Sequence, residues 1–512
     1  EVTQSHGLKA KLERPLDFLV VSDHAENLGL APALAAGDQA LLKTEFGKKL
    51  YDLMQAGEPE EAFNVWVKAM TTGKDPLKGS SFAKSMWQKI TESAEKFNDP
   101  GKFTALIGFE WTSVPGGSNL HRNVIFRDGK DKADQIVPMS SYDSENPEDL
   151  WDWMAAYEKK TNGKLLALAH NGNVSNGLMF DDVTMGGKAI DKDYAERRMR
   201  WEPLYEVTQM KGDGEAHPDL SPNDEFADFE TWDKGSFGPG PKTKEMLPNE
   251  YARAAYKRGL AYEEKLGVNP FKFGIVGSTD SHTSIVGATE NNMFGKVELL
   301  YPSKEAHYRM NEVIIGRVDA TDGSDNKHRA WETSASGLAA VWATENTREG
   351  LWDAMKRKEV YATTGTRIKV RVFAGYDFKK VDLKRPDFAK YGYKNGVPMG
   401  ADLTGNAETT APVLLIKALK DPDWANLDRV QVIKGWLDAE GNTHEQIYDV
   451  ALSDGRVVAA DGRCKTPVGN TVNGKEATFD NSIGAVSLEA YWQDPAFDPA
   501  QRAFYYVRVL EI

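Results

Sequence analysis

Residues 271–282 read FKFGIVGSTDSH, an apolar run that ends in Asp280 and His282. The run predicts a buried strand, because short apolar segments bounded by glycine are typical of strands inside α/β folds. An Asp and a His two residues apart at the end of such a strand can point toward one place, and burying either without a partner is costly. The pair therefore either satisfies local backbone groups or helps to hold a metal ion.

Apolar runs with polar residues at their ends recur in the first half of the chain. They span residues 16–22, 103–111, 120–126, 164–170 and 202–209. A helix is predicted between 249 and 266, with Asn249 as its N-cap and Gly267 as its end, directly before the strand at 271. Strands that alternate with helices predict a parallel α/β fold, in which functional sites form where the strands end.

The character of the sequence changes near residue 365. Residues 31–100 have helical periodicity and predict a helical insertion into the α/β part. From residue 366 onward, β-type runs are separated by Gly, Pro, Asn and Asp. The sequence therefore predicts two domains, an α/β domain over 1–365 and an antiparallel, sandwich-like β-rich accessory module over 366–512.

The bulk composition argues against several classes of protein. The net charge of −14, from 77 acidic and 63 basic residues, disfavours nonspecific binding to nucleic acid or anionic lipid. No stretch approaches the length of an apolar membrane span. The single cysteine, Cys464, excludes an internal disulfide and a thiolate-rich metal site. The absence of a Gly-x-Ser-x-Gly elbow argues against serine-hydrolase chemistry.

Imidazole and carboxylate side chains gather around the predicted strands. They are His24, His121, His170 and His282, with Asp23, Glu110 and Asp280. Neutral imidazole and carboxylate together suit Zn²⁺, Mn²⁺ or Fe²⁺. A single histidine at a strand end is more often structural, and Asp280 could instead bond to its own turn. The coincidence of four such fragments favours a metal centre.

The motifs SDHAEN, GFEW followed by NLHRNV, ALAHN and STDSH, in this order, resemble the metal-ligand motifs of the PHP (polymerase and histidinol phosphatase) superfamily. The closer resemblance is to a bacterial branch labelled as a domain of unknown function. It covers nearly the whole chain, including KRKEVYATTGTRI at 356–368. It implies that residues 1–365 form a distorted (β/α)7 barrel of the PHP type, with two or three divalent ions of Zn, Mn or Fe where its strands end.

The same resemblance assigns roles by position. The metal ligands that it implies are His24, Glu110, His121, His170, Asp280 and His282. Glu110 would bridge two ions, with Asp280 on one of them and two histidines on the other. His24 and His282 would share a third ion. Asp23 would orient ligands or a water, or pass a proton to the leaving group.

One family motif is not seen where the resemblance expects it. A His-x-His should precede SDHAEN, and residues 1–21 contain a single histidine, His6. We therefore expect this motif to lie upstream of residue 1. The resemblance also implies export to a bacterial periplasm or secretion.

Four further residues are candidates for roles other than metal ligation by these motifs. His217, in a Gly-rich loop, could act as an acid or contact an anion, although a surface histidine is about as common there. Lys211 and Arg122 could neutralise a substrate anion, since Arg fits phosphate in a fork geometry. Most such charges simply face solvent. Glu206 could be a ligand or a base, and a strand Glu satisfied by a neighbour is at least as common.

The sequence thus favours a metal-dependent hydrolase, most of all a phosphoesterase that uses a metal-activated water on a small anionic substrate. A carboxylic ester or carbamate hydrolase with the same metal chemistry is the first alternative. The second is a non-catalytic binding protein on a PHP scaffold, which the unseen His-x-His favours and the presence of the later ligand positions opposes. The oligomeric state stays open.

Overall fold

The computed structural model describes residues 2–3, 9–71, 73–78, 80–235, 242–287, 292–293, 295–296, 311, 313–315, 327–333, 337–405 and 410–512, and His6 lies outside these ranges. Its α-helices are α1 (Leu30–Ala36), α2 (Gln39–Leu42), α3 (Glu45–Gln55), α4 (Pro59–Thr71), α5 (Phe82–Phe97), α6 (Lys130–Ala133), α7 (Pro147–Thr161), α8 (Lys192–Trp201), α9 (Ala252–Leu266), α10 (Arg348–Lys356) and α11 (Phe388–Asn395). Helices α1 to α5 occupy the segment predicted to be a helical insertion. Within the described ranges, none of the helices combines the length and the apolar character needed to span a bilayer.

Strands are found along the whole length of the chain. They are β1 (Val2–Thr3), β2 (Lys9–Ala10), β3 (Phe18–Val21), β4 (Thr104–Trp111), β5 (Arg122–Phe126), β6 (Leu165–Ala169), β7 (Leu204–Gln209), β8 (Gly212–Asp213), β9 (Gly274–Gly277), β10 (Val313–Ile315), β11 (His328–Arg329), β12 (Leu338–Val341), β13 (Val360–Thr363), β14 (Lys369–Gly375), β15 (Val397–Pro398), β16 (Val413–Leu419), β17 (Leu427–Leu437), β18 (Thr443–Leu452), β19 (Ser487–Gln493) and β20 (Ala503–Glu511).

Seven strands form a curled half-barrel sheet in the order β3-β4-β5-β6-β7-β8, with β9 paired to β7. The pairs β3–β4, β6–β7 and β7–β9 are parallel. Strand β5 runs antiparallel to both β4 and β6, so the sheet is mixed rather than wholly parallel. Because β5 is reversed, its first residues lie beside the last residues of its two neighbours. The closed (β/α)7 barrel of the PHP type stays a prediction.

Side chains of this sheet alternate between two faces, as the strand period of two requires. One face carries Leu106, Ile125, Leu166, Leu168, Leu204 and Val276, which pack with Trp352 of α10. The other carries Ile107, Phe109, Val124, Phe126, Leu165 and Ala167, which pack against Trp87 of α5 and Trp151 of α7. Extending the first face along its strands in steps of two leads to Glu110, His170 and Asp280.

Helix α9 differs slightly from its predicted bounds. It begins at Ala252, because Leu247–Asn249 forms a 3-10 turn in place of the predicted N-cap. It ends as predicted at Gly267, whose φ of 75° gives the left-handed turn that stops a helix. The following apolar run enters the sheet at Gly274, after Phe271 has packed into an apolar cluster with Tyr205.

The region after residue 366 is antiparallel, as predicted. Strands β15-β14-β16-β19 form one sheet and β18-β17-β20 form another. Apolar side chains of both sheets, including Ile416 and Val432, pack in one shared cluster. The two sheets therefore face each other across a common apolar layer, which is the arrangement of a β-sandwich.

A buried ion network joins helix α9 to this β-rich module. The Nη2 atom of Arg253 lies 2.7 Å from both Glu215 Oε1 and Asp224 Oδ2. Its Nε donates a hydrogen bond to the Tyr506 hydroxyl of β20 at 2.7 Å. Arg508, on the same strand, donates to Asp224 Oδ1 at 2.6 Å. The network fixes the loop after β8 against both α9 and the module.

Candidate metal centre

Glu110 is the centre of a buried cluster at the end of β4. Its Oε1 atom lies 2.7 Å from His121 Nδ1 and 2.8 Å from His170 Nε2. The three residues are only 4%, 8% and 2% exposed, in that order. One ligand atom from each residue lies within 4.8 Å of the ligand atoms of the other two. Among the His, Cys, Asp and Glu side chains of the described ranges, these three form the group that could hold a metal ion.

The strand order brings these three residues together. His121 directly precedes the reversed strand β5, and His170 directly follows β6, so both lie beside the end of β4. The backbone N–H of His170 donates to the His121 carbonyl at 3.4 Å. The Asn119 amide donates to the His170 carbonyl at 2.9 Å. Asn171, with a φ of 55°, then turns the chain away from the cluster.

The protonation of two of the three residues suits a metal ligand set. Burial alone would raise the pKa of Glu110, but the charges of His24 and His170 and hydrogen bonds from His121 and His170 hold it well below its usual value. Burial lowers the pKa of His121 to about 4. Burial also opposes the charged form of His170, yet the adjacent Glu110 carboxylate raises its pKa. Glu110 as an anion and His121 as a neutral imidazole are in the forms that metal ligation requires, whereas the raised pKa of His170 means that a metal ion would compete with a proton for this ring.

A second pair of histidines lies beside Glu110. The Nε2 atoms of His24 and His282 are 3.1 Å apart. His24 Nδ1 lies 3.2 Å from Glu110 Oε2 and 2.6 Å from the Thr112 hydroxyl. Two ring nitrogens bound to one tetrahedral zinc ion would lie about 3.3 Å apart, which is close to this separation. The structure therefore brings His24 and His282 together beside Glu110, and their sharing of an ion stays a prediction.

Asp280 also reaches this region, but its carboxylate contacts cations of the chain itself. Asp280 Oδ2 accepts hydrogen bonds from Lys211, from Gln209 at 2.6 Å and from Lys296 at 2.9 Å. Burial would raise the pKa of Asp280, but the charges of Lys211 and Lys296 hold it well below its usual value. Its φ of 50° is unusual for a residue other than glycine, and such strain is concentrated at functional sites.

Lys296 completes this part of the cluster. Its Nζ contacts the Asp280 backbone carbonyl and lies 2.7 Å from His282 Nδ1. Burial lowers the pKa of Lys296 to about 7, against the attraction of Asp280. Lys296 in turn lowers the pKa of His282 to about 3. Lys211, predicted as a substrate contact, is thus at the site, and Lys296 joins it there.

The structure corrects the prediction for Arg122. Because side chains alternate along β5, Arg122 lies on the face opposite to His121. Its Nε donates to Glu202 Oε1 at 3.0 Å, and its Nη1 donates to the Leu120 carbonyl at 2.5 Å. The Trp151 indole N–H also donates to Glu202, at 3.0 Å. The guanidinium that we expected to bind a substrate anion is therefore engaged in a buried ion pair with Glu202.

Asp23 and His217, the two predicted proton carriers, are placed differently. The carbonyl of Asp23 accepts a hydrogen bond from the backbone N–H of Glu110 at 2.9 Å. Desolvation raises the pKa of Asp23, although the residue is exposed to solvent. His217 Nδ1 accepts from the Asp219 N–H at 3.1 Å, and its Nε2 lies 3.0 Å from Asp233 Oδ2. Asp23 therefore adjoins the cluster, and the described hydrogen bonds of His217 lie within its own loop.

Two further residues lie at the site: Glu206, which the sequence offered as a ligand or a base, and Lys296, which was not selected from the sequence. Glu206 follows Leu204 on the same face of β7, accepts a hydrogen bond from Ser278 and lies 3.9 Å from His170 Nδ1. Burial raises the pKa of Glu206. The period of two along β7 is the signal that would have placed it with His170. Lys296 carries no comparable signal, because it lies in a segment without a regular pattern.

Comparison with known proteins places the chain in a family without assigning it a function. No curated protein gives a significant match to the chain, and neither does any solved structure. A family model described as "Protein of unknown function (DUF3604)" matches residues 1–512. The chain therefore belongs to the DUF3604 family.

Proposed function

We propose that this protein is a metal-dependent hydrolase. The observation that carries the proposal is the position of Glu110 Oε1, 2.7 Å from His121 Nδ1 and 2.8 Å from His170 Nε2 in a buried cluster. One carboxylate and two imidazoles are a ligand set of catalytic zinc sites, in which the fourth position is left for water or substrate. A bound ion of this kind lowers the pKa of a coordinated water and polarises the bond under attack.

The charges beside the cluster favour an anionic substrate. Lys211 and Lys296 both contact Asp280, so two basic side chains lie next to the ligand set. Basic side chains in this position would attract and orient a phosphate group. A phosphomonoester or phosphodiester is therefore the substrate class that we propose. The resemblance of the motifs to the PHP superfamily supports the same class of chemistry.

Asp23 is the residue that we propose to hold a proton for the leaving group. Its backbone is bonded to Glu110, which fixes it beside the cluster, and it keeps contact with solvent. Desolvation raises its pKa, which favours the protonated carboxyl that a general acid needs. His217 would need a change in its loop to take this role, because its ring nitrogens are engaged by Asp219 and Asp233.

Metal content and turnover, measured on the same preparations, test the proposal. Protein reconstituted with Zn²⁺ or Mn²⁺ is expected to retain metal by plasma mass spectrometry and to hydrolyse p-nitrophenyl phosphate or bis(p-nitrophenyl) phosphate. The variant His170→Asn should lose metal and turnover together. His444→Asn, at a half-exposed position in β18, is the matched control and should keep both.

The outcomes separate the possible activities. Turnover of p-nitrophenyl acetate without turnover of either phosphate would move the assignment to a carboxylic ester hydrolase. A metal-loaded protein that hydrolyses none of the three compounds would contradict the proposal. Full turnover by His170→Asn would place the chemistry elsewhere in the protein.

A further inference from the structure

We propose that this cluster holds one metal ion, and that the side chains of Lys211 and Lys296 take the place of a further ion beside Asp280. The inference rests on the metal site of the proposed function, formed by Glu110, His121 and His170. It goes beyond that function because it assigns Asp280 a different partner and fixes the number of ions.

The inference rests first on the contacts of the Asp280 carboxylate. Its Oδ2 atom accepts hydrogen bonds from Lys211, Lys296 and Gln209, and the Lys296 contact is 2.9 Å long. The two lysine side chains are 7% and 4% exposed, and the aspartate side chain is 6% exposed. These are buried ion pairs, whose geometry is costly to change. A divalent ion on the same oxygen would have to displace two cations that are already in place.

Lys296 also engages the histidine next to Asp280. Its Nζ lies 2.7 Å from His282 Nδ1 and contacts the Asp280 backbone carbonyl. The backbone N–H of His282 donates to the Lys296 carbonyl at 2.8 Å, which holds the two residues together. One lysine therefore occupies both the carboxylate and the nearer ring nitrogen that an ion at this position would use.

The remaining donors do not complete a second ligand set in the part of the chain that the structure describes. The group of three ligand atoms found there is Glu110, His121 and His170. His24 and His282 offer one Nε2 atom each, 3.1 Å apart, and this pair alone is too few for a structural or catalytic zinc site. The geometry thus supports one complete site with two lysine side chains next to it.

The difference between a lysine and a metal ion has a functional consequence. A lysine side chain is part of the protein and does not leave the site, so these basic groups would stay beside Asp280 at any metal concentration. It can attract an anion, but it cannot activate a water as a divalent ion does. The protein should therefore need one equivalent of metal for full activity, and further metal should not raise it.

Counting and locating the ions in the wild-type protein is the decisive experiment. Crystals grown with excess Zn²⁺ should show one strong anomalous peak per chain, at coordination distance from Glu110, His121 and His170. Plasma mass spectrometry after desalting should give one equivalent. A second peak on Asp280 would overturn this inference and leave the proposed hydrolase intact. No peak and no retained metal would overturn both.

A charge-balanced pair of substitutions tests the role of Asp280 in solution. Asp280→Asn combined with Lys296→Met removes one negative and one positive group together. The double variant should still bind one zinc ion, with a Kd within about threefold of wild type. A loss of affinity of tenfold or more in a folded double variant would show that Asp280 is a ligand. If the variant does not fold, the anomalous peak on Asp280 in wild type, present or absent, decides the question.

Discussion

Glu206 Oε2 lies 3.9 Å from His170 Nδ1, while the Nε2 atom of the same ring lies 2.8 Å from Glu110. The imidazole therefore lies between two buried carboxyl groups. In metal sites, a carboxylate behind a ligating histidine fixes the orientation and tautomer of the ring and makes it a better ligand. Ser278, which donates to Glu206 Oε2, keeps this carboxylate in place.

Replacing this carboxylate with its amide should weaken metal binding. We expect Glu206→Gln to raise the Kd for Zn²⁺ by about tenfold, because the ring of His170 loses its anionic partner. Competition with a chromogenic chelator measures the change. Glu489→Gln, in strand β19 of the β-rich module, is the control and should bind like wild type. An unchanged Kd in a folded Glu206→Gln would show that Glu206 does not support His170.

Loss of the Arg122 side chain should destabilise the fold rather than weaken substrate binding. Arg122→Met leaves the buried Glu202 with Arg198, whose Nε is 3.4 Å away, as its remaining cation. We expect a loss of about 3 kcal/mol in the free energy of unfolding, measured by urea denaturation. Adding Glu202→Gln should recover part of it, since no buried charge is then left uncompensated. An increase in KM at unchanged stability would instead restore the role of Arg122 as a substrate contact.

The stability of the module should depend on pH through Glu511. Burial, and then the nearby Asp421, raise the pKa of Glu511 to about 7. A carboxyl with a raised folded-state pKa favours folding below its unfolded pKa of about 4.5, and this advantage is lost as the pH rises toward 7. Glu511→Gln should therefore match wild type at pH 4.5 and exceed its stability at pH 8.

The size of this effect is limited by solvent contact at Glu511. We expect a gain of about 1 kcal/mol at pH 8, since the partly exposed carboxyl is screened by water. Thermal melting of both proteins between pH 4.5 and 8.5 measures it. A difference in stability that stays constant over this range would contradict the assignment of the pH dependence to Glu511.

The hydroxyl of Tyr506 should be important for stability. It accepts a hydrogen bond from Arg253 at 2.7 Å and donates one to Glu215 at 2.6 Å. Tyr506→Phe removes both bonds and leaves charged partners buried, so we expect a loss of about 2 kcal/mol in urea denaturation. Tyr391→Phe, in helix α11, is the control. A loss no larger than that of the control would mean that water replaces the hydroxyl without cost.

Much of the site could be predicted because its signal is local. Glu110 and His170 each follow an apolar run in step with its buried face, so the sequence places them near the ends of neighbouring strands. Strand direction is less well encoded, but the connection from Trp111 to Arg122 is too short for a crossover helix and indicates the antiparallel β5. Side chains alternate along β5, so Arg122, which follows His121, is assigned to the face opposite to the cluster.

The rest depends on contacts between residues far apart in the chain. Lys296 lies in a segment without periodicity, and only the folded chain shows that its amine reaches Asp280 and His282. Arg253 lies in a helix whose charged residues are typical of a solvated face, yet the β-rich module buries it. No local pattern distinguishes these cations from the other basic residues of the chain.

The ion network around Arg253 has a consequence for the cooperativity of unfolding. Arg253 and Arg508 both contact Glu215 and Asp224, and the side chains of Arg253 and Asp224 are almost fully buried. Separating the module from helix α9 would break the contacts of Arg508 with Glu215 and Asp224 and the hydrogen bond from Arg253 to Tyr506, so the two parts stabilise each other. Calorimetry should therefore record one cooperative melting transition for the whole chain. Limited proteolysis near residue 365 should yield no fragment that survives on its own.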